Sequence, residues 1–226
     1  MNRAKVICHM YTTIDGKIVT DLPGYPDCEI AGNIYDEITF QTSNAWGCGR
    51  ETFEYLSNHS VDLNQYKAKE GDLKDYFEKD KRYCFAFDRK GKLFFDNQYN
   101  DYGGQQSRFV SVLTENRRFL SYLESKGICY LFCGKEELDL SLFLNKIKKL
   151  GIDTFMLCGG AQINALFLQQ DLIDEISLVI CPGIQGGRKE ITFIGTENVA
   201  NFPKYFKVKA VKILPGDTIY LTYKKG

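Results

Sequence analysis

The chain has 226 residues and an apolar fraction of 44%, enough for a sizeable core in one domain, or in one domain with a large insertion. Lys and Arg total 29 and Asp and Glu total 29, so the basic footprint of a general nucleic-acid binder is missing, while a local basic patch for a phosphorylated small molecule stays open. No apolar stretch approaches membrane-spanning length, and residues 1–5 lead into a strand-like run without a cleavage-type segment, which predicts a soluble cytoplasmic protein.

Apolar runs alternate with helix-like segments. Residues 4–12 read as a first strand, and 29–41 as a helix with Ile30, Ile34, Tyr35 and Ile38 as its apolar stripe. Residues 44–50 form a short strand that breaks into glycine, followed by a short helix in ETFEYL. A polar surface insertion is expected near 58–80. A strand returns at 82–88, RKGKLFF suggests a turn and a brief hairpin, and 108–114 is a further strand. Helices over 115–127 and over LDLSLFLNKIKKLG both stop at glycine, with the strand ICYLFCG between them.

A buried strand over 153–158 runs into Gly159-Gly160 and then a helix over 161–169. Residues 174–187 begin as a strand and end in a Pro/Gly loop, and the tail alternates through Val208, Ala210, Lys212 and Leu214 before a final hairpin turned by Pro215-Gly216-Asp217. Repeated strand–helix units closed by a hairpin imply an α/β fold, with a mainly parallel mixed sheet and helices on both faces.

The eight cysteines are dispersed, mostly in apolar runs and without a C-x-x-C pair, and only His9 and His59 could assist them. Reduced structural thiols are expected, with neither a metal site nor a disulfide framework.

Ligands of open α/β sheets bind beyond the carboxyl ends of strands, and three such ends carry chemistry here. In GCGRETF, Gly49, Arg50 and Thr52 supply backbone donors, a guanidinium and a hydroxyl that suit a phosphate, although a solvated arginine beside a turn accounts for them as well. In LTENRR, Thr114 and Asn116 are explained by helix capping. Arg117 and Arg118 in a first turn are not, because the helix dipole disfavours them unless an anion, such as a 2′-phosphate, offsets it. In CGGAQ, the absence of Cβ atoms at Gly159 and Gly160 lets backbone N–H groups and a helix start approach an anion, and a tight turn with nothing bound is the plainer alternative. After the first strand, Asp15-Gly16 makes a turn pair, and Lys17 faces either water or a substrate phosphate. No G-x-G-x-x-G opens the first strand–helix unit, against a conventional dinucleotide domain.

Taken together, TTIDGKI, the GRET turn and MLCGGAQINALFLQQDLIDEISLVICPGIQGG resemble the riboflavin-biosynthesis reductases, the family of the C-terminal domain of the bifunctional pyrimidine deaminase/reductase RibD, with a dihydrofolate-reductase-like three-layer fold. The resemblance runs from about Val6 through Gly187. It implies a homodimer that binds NADPH and reduces a phosphorylated pyrimidine, 5-amino-6-(5-phosphoribosylamino)uracil, by hydride transfer to the ribosyl carbon. Carried onto this sequence, it implies that Gly159, Gly160, Ala161 and Gln162, after Cys158, line the cofactor diphosphate. Gly49, Arg50 and Thr52 would approach the phosphates from the other side, and Thr114, Asn116 and Arg117 would sit near the adenosine 2′-phosphate. Lys17 would recognise the substrate and Asp15 would orient its loop.

Three departures stand out. Cys158 occupies the place of the family's usual Glu, the Asp-Asp-Pro segment is missing, and there is no deaminase half. They leave open a pterin, folate or other pyrimidine-like heterocycle as substrate, with Trp46 and Phe40 available for stacking or for the core. They also leave open an NADPH-binding protein without turnover. A phosphate-binding cluster of Lys17, Arg188 and Lys189 would favour the riboflavin-pathway substrate.

Overall fold

The computed structural model describes residues 2–18, 25–57, 61–114, 116–187, 191–195 and 201–226. Two compact units emerge. One combines Lys5–Ser43 with Thr154–Gly226, and the other combines Met1–Ala4 with Asn44–Asp153. Both are mixed α/β structures; the first divides its strand pairings between parallel and antiparallel, and the second is dominated by parallel pairing.

In the first unit, β1 (Lys5–Thr12) pairs in parallel with β7 (Thr154–Leu157) on one edge and with β8 (Glu175–Ile180) on the other. The antiparallel hairpin of β10 (Thr218–Lys225) and β9 (Phe206–Leu214) extends the sheet from β8. Alternating side chains divide between two helices. On one face α1 (Pro26–Thr42) stacks Tyr35 on His9 at 4.4 Å. Its residues Cys28 and Ala31 pack with Val179 and Cys181, joined by Ile34, Tyr35, Ile38 and Tyr220. On the other face α5 (Ala161–Gln169) sets Phe167 against Phe155 of β7 and Asn164 against Met10 of β1.

Helix α1 begins three residues before its expected start, with proline in its first turn, where the missing N–H costs nothing. Ile30 of the expected stripe is 38% exposed, and the buried line runs instead through Cys28 and Ala31. His9 Nδ1 and Nε2 meet Ser177 Oγ at 2.7 Å and the Tyr35 carbonyl at 3.1 Å. Burial pushes its pKa down to about 4, so it is a neutral core imidazole.

In the second unit, β2 (Ala45–Gly49), β3 (Tyr83–Phe87) and β5 (Gln105–Leu113) run parallel in that order. The far edge of β5 is shared by β4 (Tyr99–Tyr102), antiparallel, and then by β6 (Cys129–Phe132), parallel. The hairpin expected in RKGKLFF is absent; it lies later, between β4 and β5. Gly103 and Gly104 both have positive φ, 56° and 67°, the signature of a two-residue type I′ turn. The polar sequence YNDYGGQQ hides this strand, because only Asn100 of β4 is buried.

Helix α4 (Leu140–Lys149) drives Phe143 between Phe85 and Phe87. Phe53 of the short helix α2 (Arg50–Phe53) meets Phe95, Phe109 and Trp46. Each such buried aromatic contributes roughly 1.5–3 kcal/mol. Trp46 is therefore core, with its indole N–H donating to Ser107 Oγ at 3.1 Å.

The described part of 58–80 lies against α3 (Arg117–Ser125) and β6. It is held by the Tyr76–Tyr130 bridge, by Asp75 accepting from the Phe132 amide, and by Tyr66 edge-on to Tyr122.

Candidate functional site

In the first unit, β1 delivers its chain into a tight loop. The Thr13 amide donates to the Lys17 carbonyl at 3.0 Å and the Lys17 amide to Thr13 Oγ1 at 3.0 Å. Gly16 supplies the positive φ, 73°, that this return needs. Asp15 locks the loop. Its carboxylate accepts from Thr13 Oγ1 at 2.6 Å, from the Gln185 amide at 3.2 Å and from the Gly186 amide at 2.9 Å. These bonds, that of Thr13 first, hold the carboxyl below its ordinary value. Lys17 pairs through its backbone with Thr192. Of the expected phosphate-binding cluster, Arg188 and Lys189 lie outside the described residues.

Strand β7 ends at Leu157 and is followed by Cys158, a partly exposed thiol. Next comes Gly159 at φ 94°, joined to Gly160 by a cis peptide. The φ of Gly159 favours glycine, and a Cβ there would stand 3.0 Å from Met10 Cε, so the methionine end would have to give by a few tenths of an ångström. Gly160 is the N-cap of α5, and among the described residues no side chain caps its first-turn amides. Ala161 is buried and Gln162 exposed.

The sequence reading missed Asn164. This fully buried amide donates from Nδ2 to the Phe193 carbonyl at 2.8 Å and approaches Met10 Sδ at 3.2 Å, while its Oδ1 has no partner. It ties α5 to 191–195, where the Gly195 amide donates to the Ala161 carbonyl. The sign in the sequence was a polar residue inside the apolar stripe of INALF.

In the second unit, Gly49, Arg50 and Thr52 stand where β2 passes into α2. Arg50 pairs with Glu54 and, at 3.7 Å, with Glu51, and it remains about one-third exposed. Also missed was Asp88, at the end of β3. It is fully buried, and one oxygen accepts from the Lys92 and Leu93 amides at 2.6 and 2.7 Å while the other has no partner. Burial raises its pKa against the pull of those two amides and the Arg50 guanidinium. An Asp directly after an apolar strand and before Arg-Lys-Gly was the available signal.

Thr114 donates to the Arg89 carbonyl at 2.9 Å, and Asn116 caps α3 by accepting from the Phe119 amide. Arg117 donates from Nη1 to the Lys69 and Gly71 carbonyls at 2.8 and 2.9 Å, and Arg118 to Asn64 at 3.0 Å. Protein oxygens thus supply compensation that was expected of an anion. Glu115, between them, lies outside the described residues.

Residues 89–220 match the family described as the RibD C-terminal domain. The chain belongs to this family. The match covers the glycine pair and the Pro/Gly loop, whereas the Thr13–Lys17 loop and the Gly49–Thr52 turn precede it.

Among curated RibD-related proteins, a 2,5-diamino-6-ribosylamino-4(3H)-pyrimidinone 5′-phosphate reductase of Methanothermobacter thermautotrophicus is 36% identical over 66 residues, 29% of this chain and 31% of that protein. A reductase of the same name from Aquifex aeolicus is 33% identical over 78 residues, 34% of this chain and 35% of that protein. The chain therefore spans about a third of the length of the curated relatives it matches. A solved pyrimidine reductase-like protein from Corynebacterium diphtheriae superposes with a TM-score of 0.69 at 15% identity, over 99% of this chain and 92% of that one; that likeness is one of fold.

Proposed function

We propose that this RibD C-terminal domain is an NADPH-dependent reductase acting in the cytoplasm as a homodimer, with 5-amino-6-(5-phosphoribosylamino)uracil as its substrate. The observation that carries the reading is the β7–Gly159–Gly160–α5 junction, which lies inside the family match and presents a helix start without a side-chain cap behind a residue whose positive φ favours glycine. The phosphate and pyrimidine groups in the names of the two curated relatives support the substrate class.

The residues present suit a dinucleotide. No carboxylate occurs from Cys158 to Gln162, and the first-turn amides of α5 lack a side-chain cap, so a diphosphate meets donors and no like charge there. Bound there, NADPH would supply the hydride for the ribosyl carbon, whose bond to the ring oxygen would break as that oxygen takes up a proton. The chain's own work is to bind and orient. Gly159, Gly160, Ala161 and Gln162 receive the diphosphate, and Cys158 presents a thiol where the family resemblance implies a glutamate. Gly49, Arg50 and Thr52 are assigned to the cofactor phosphates. Thr114 and Asn116 shape the start of α3 near the adenosine, and Arg117 fixes the 69–71 backbone beside them.

Asp15 keeps the loop after β1 in one conformation, and Lys17 neutralises the substrate phosphate. Such positioning contributes by holding donor and acceptor in reacting geometry. The reading is tested by following NADPH absorbance with purified protein and 5-amino-6-(5-phosphoribosylamino)uracil, alongside dihydrofolate and substrate-free controls. Oxidation with the phosphoribosyl compound alone is expected. Oxidation with dihydrofolate would move the substrate to the pterins.

A further inference from the structure

Residues 191–195 form a strap within the first unit, exposed or half-buried along its length. At one end Thr192 makes an antiparallel bridge with Lys17, and the Ile191 carbonyl accepts from the Ile18 amide at 2.9 Å. At the other end the Gly195 amide donates to the Ala161 carbonyl at 3.3 Å. A Cβ on Gly195 would stand 3.0 Å from Ala161 Cβ, so the strap lies directly on the start of α5. It therefore runs from the loop that carries Lys17 to the glycine junction of β7 and α5.

Between those ends Asn164 grips it. This side chain of α5 is fully buried, and its Nδ2 donates to the Phe193 carbonyl at 2.8 Å. Phe193 directly follows the residue that pairs with Lys17. The same Nδ2 lies 3.2 Å from Met10 Sδ and 3.9 Å from the Cβ position of Gly159, and the Asn164 amide donates to the Gly160 carbonyl at 3.1 Å. One residue thus touches the glycine junction and the strap together.

Core packing does not ask for an amide at this place. Its helix neighbours Ile163, Ala165, Phe167 and Leu168 are buried and apolar, and a leucine would fill the site without desolvating a polar group. As a stabilising device the amide is half used. Among the described residues Oδ1 has no hydrogen-bond partner, whereas a buried oxygen ordinarily finds one. What Asn164 supplies, and an aliphatic side chain cannot, is a directed bond to one main-chain carbonyl.

We infer that Asn164 is a positioning residue, which through Phe193 and the strap holds the Lys17 loop at a fixed distance from the glycine junction. Only Phe193 and Thr192 separate its bond from the Lys17 bridge, so a shift at Phe193 passes directly to the loop. Under the reductase reading Lys17 meets the substrate phosphate and the junction meets the cofactor. The distance between them then fixes where the ribosyl carbon lies against the hydride donor. The inference rests on that reading for its effect on turnover, while the coupling itself is a property of the free protein.

Amide exchange of the free protein, followed residue by residue by NMR, tests the coupling, and steady-state kinetics test its consequence. Asn164→Leu removes the bond and keeps an apolar filling. The Ile18 and Gly195 amides are expected to exchange roughly tenfold faster in this variant, with β1 and β7 at wild-type rates. The KM for 5-amino-6-(5-phosphoribosylamino)uracil should rise roughly tenfold or more while kcat changes far less, because the phosphate contact is made in the ground and transition states alike. NADPH affinity, read from the fluorescence of the bound nucleotide, should be nearly unchanged. Gly195→Val wedges the strap away from Ala161 and should speed exchange at Ile18 in the same way, which carries the test if Asn164→Leu does not fold. Wild-type exchange at Ile18 in a folded variant would overturn the inference, as would faster exchange with an unchanged KM. A wild type that binds NADPH and leaves the substrate untouched would overturn the substrate reading instead, and exchange at Ile18 would still decide the coupling.

Discussion

Thr13 and Asp15 form a closed unit: the hydroxyl donates to the carboxylate at 2.6 Å and accepts from the Lys17 amide at 3.0 Å. A two-residue contact thereby fixes the backbone that carries Lys17, the residue proposed to meet the substrate phosphate. The same carboxylate reaches across to the Gln185 and Gly186 amides, so one side chain joins the loops that follow β1 and β8.

Thr13→Ala is expected to release Asp15 from its largest stabilising bond. The carboxyl is depressed in the wild type, so its tie to the loop is complete above the ordinary carboxylate pKa and is lost as pH falls through the lowered value. NMR titration of the Asp15 carboxyl should show a low midpoint in the wild type and a higher one in Thr13→Ala. Equal midpoints would refute the assignment of the hydroxyl.

Asp15→Ala removes the anchor itself. The expected consequence is a KM for the phosphoribosyl substrate raised roughly ten- to a hundredfold through misplacement of Lys17, with NADPH affinity nearly unchanged. A loss confined to NADPH affinity would place Asp15 elsewhere in the chemistry.

Gly159→Ala combines a left-handed φ of 94° with a Cβ 3.0 Å from Met10. It is expected to cost roughly 1–3 kcal/mol of stability and to weaken NADPH binding more than Gly16→Ala does. At Gly16 nothing stands within 4 Å and only the φ of 73° opposes the change. Thermal melts with and without NADPH separate the two terms.

Asp88 titrates in the opposite sense from Asp15. Its pKa is raised, so the folded state favours the neutral carboxyl, and the contribution of Asp88 to stability declines as pH rises through the ordinary and then the raised value. Urea unfolding in acidic and neutral buffers should show the wild type losing stability relative to Asp88→Asn on neutralisation. Asp88→Ala, which frees both the Lys92 and Leu93 amides, should cost roughly 2–4 kcal/mol.

Periodicity and turn chemistry made most of the fold legible. The β7–glycine–α5 junction and the closing hairpin of β9 and β10 follow from local pattern, because their apolar alternation and their turn residues agree. Strand β4 did not follow, since its side chains are polar and its stability comes from pairing with β5. The start of α1 was obscured by a buried line through Cys28 and Ala31, residues less apolar than the exposed Ile30. At the site, residue types identified the glycine pair and the Asp15 turn. Asp88 and Asn164 were out of reach because their significance lies in burial and in partners distant along the chain. The helix dipole alone does not account for Arg117, whose partners at the Lys69 and Gly71 carbonyls lie in a polar segment far away in sequence.

The central claim is reduction of the ribosyl carbon by NADPH. Its most direct test supplies NADPH deuterated at the transferring position of the nicotinamide and analyses the product by mass spectrometry. The proposal predicts that 5-amino-6-(5-phosphoribosylamino)uracil is converted to the ribityl compound carrying one deuterium at the former ribosyl carbon. Unlabelled ribityl product, or protein that binds NADPH and leaves this substrate unchanged, would contradict it.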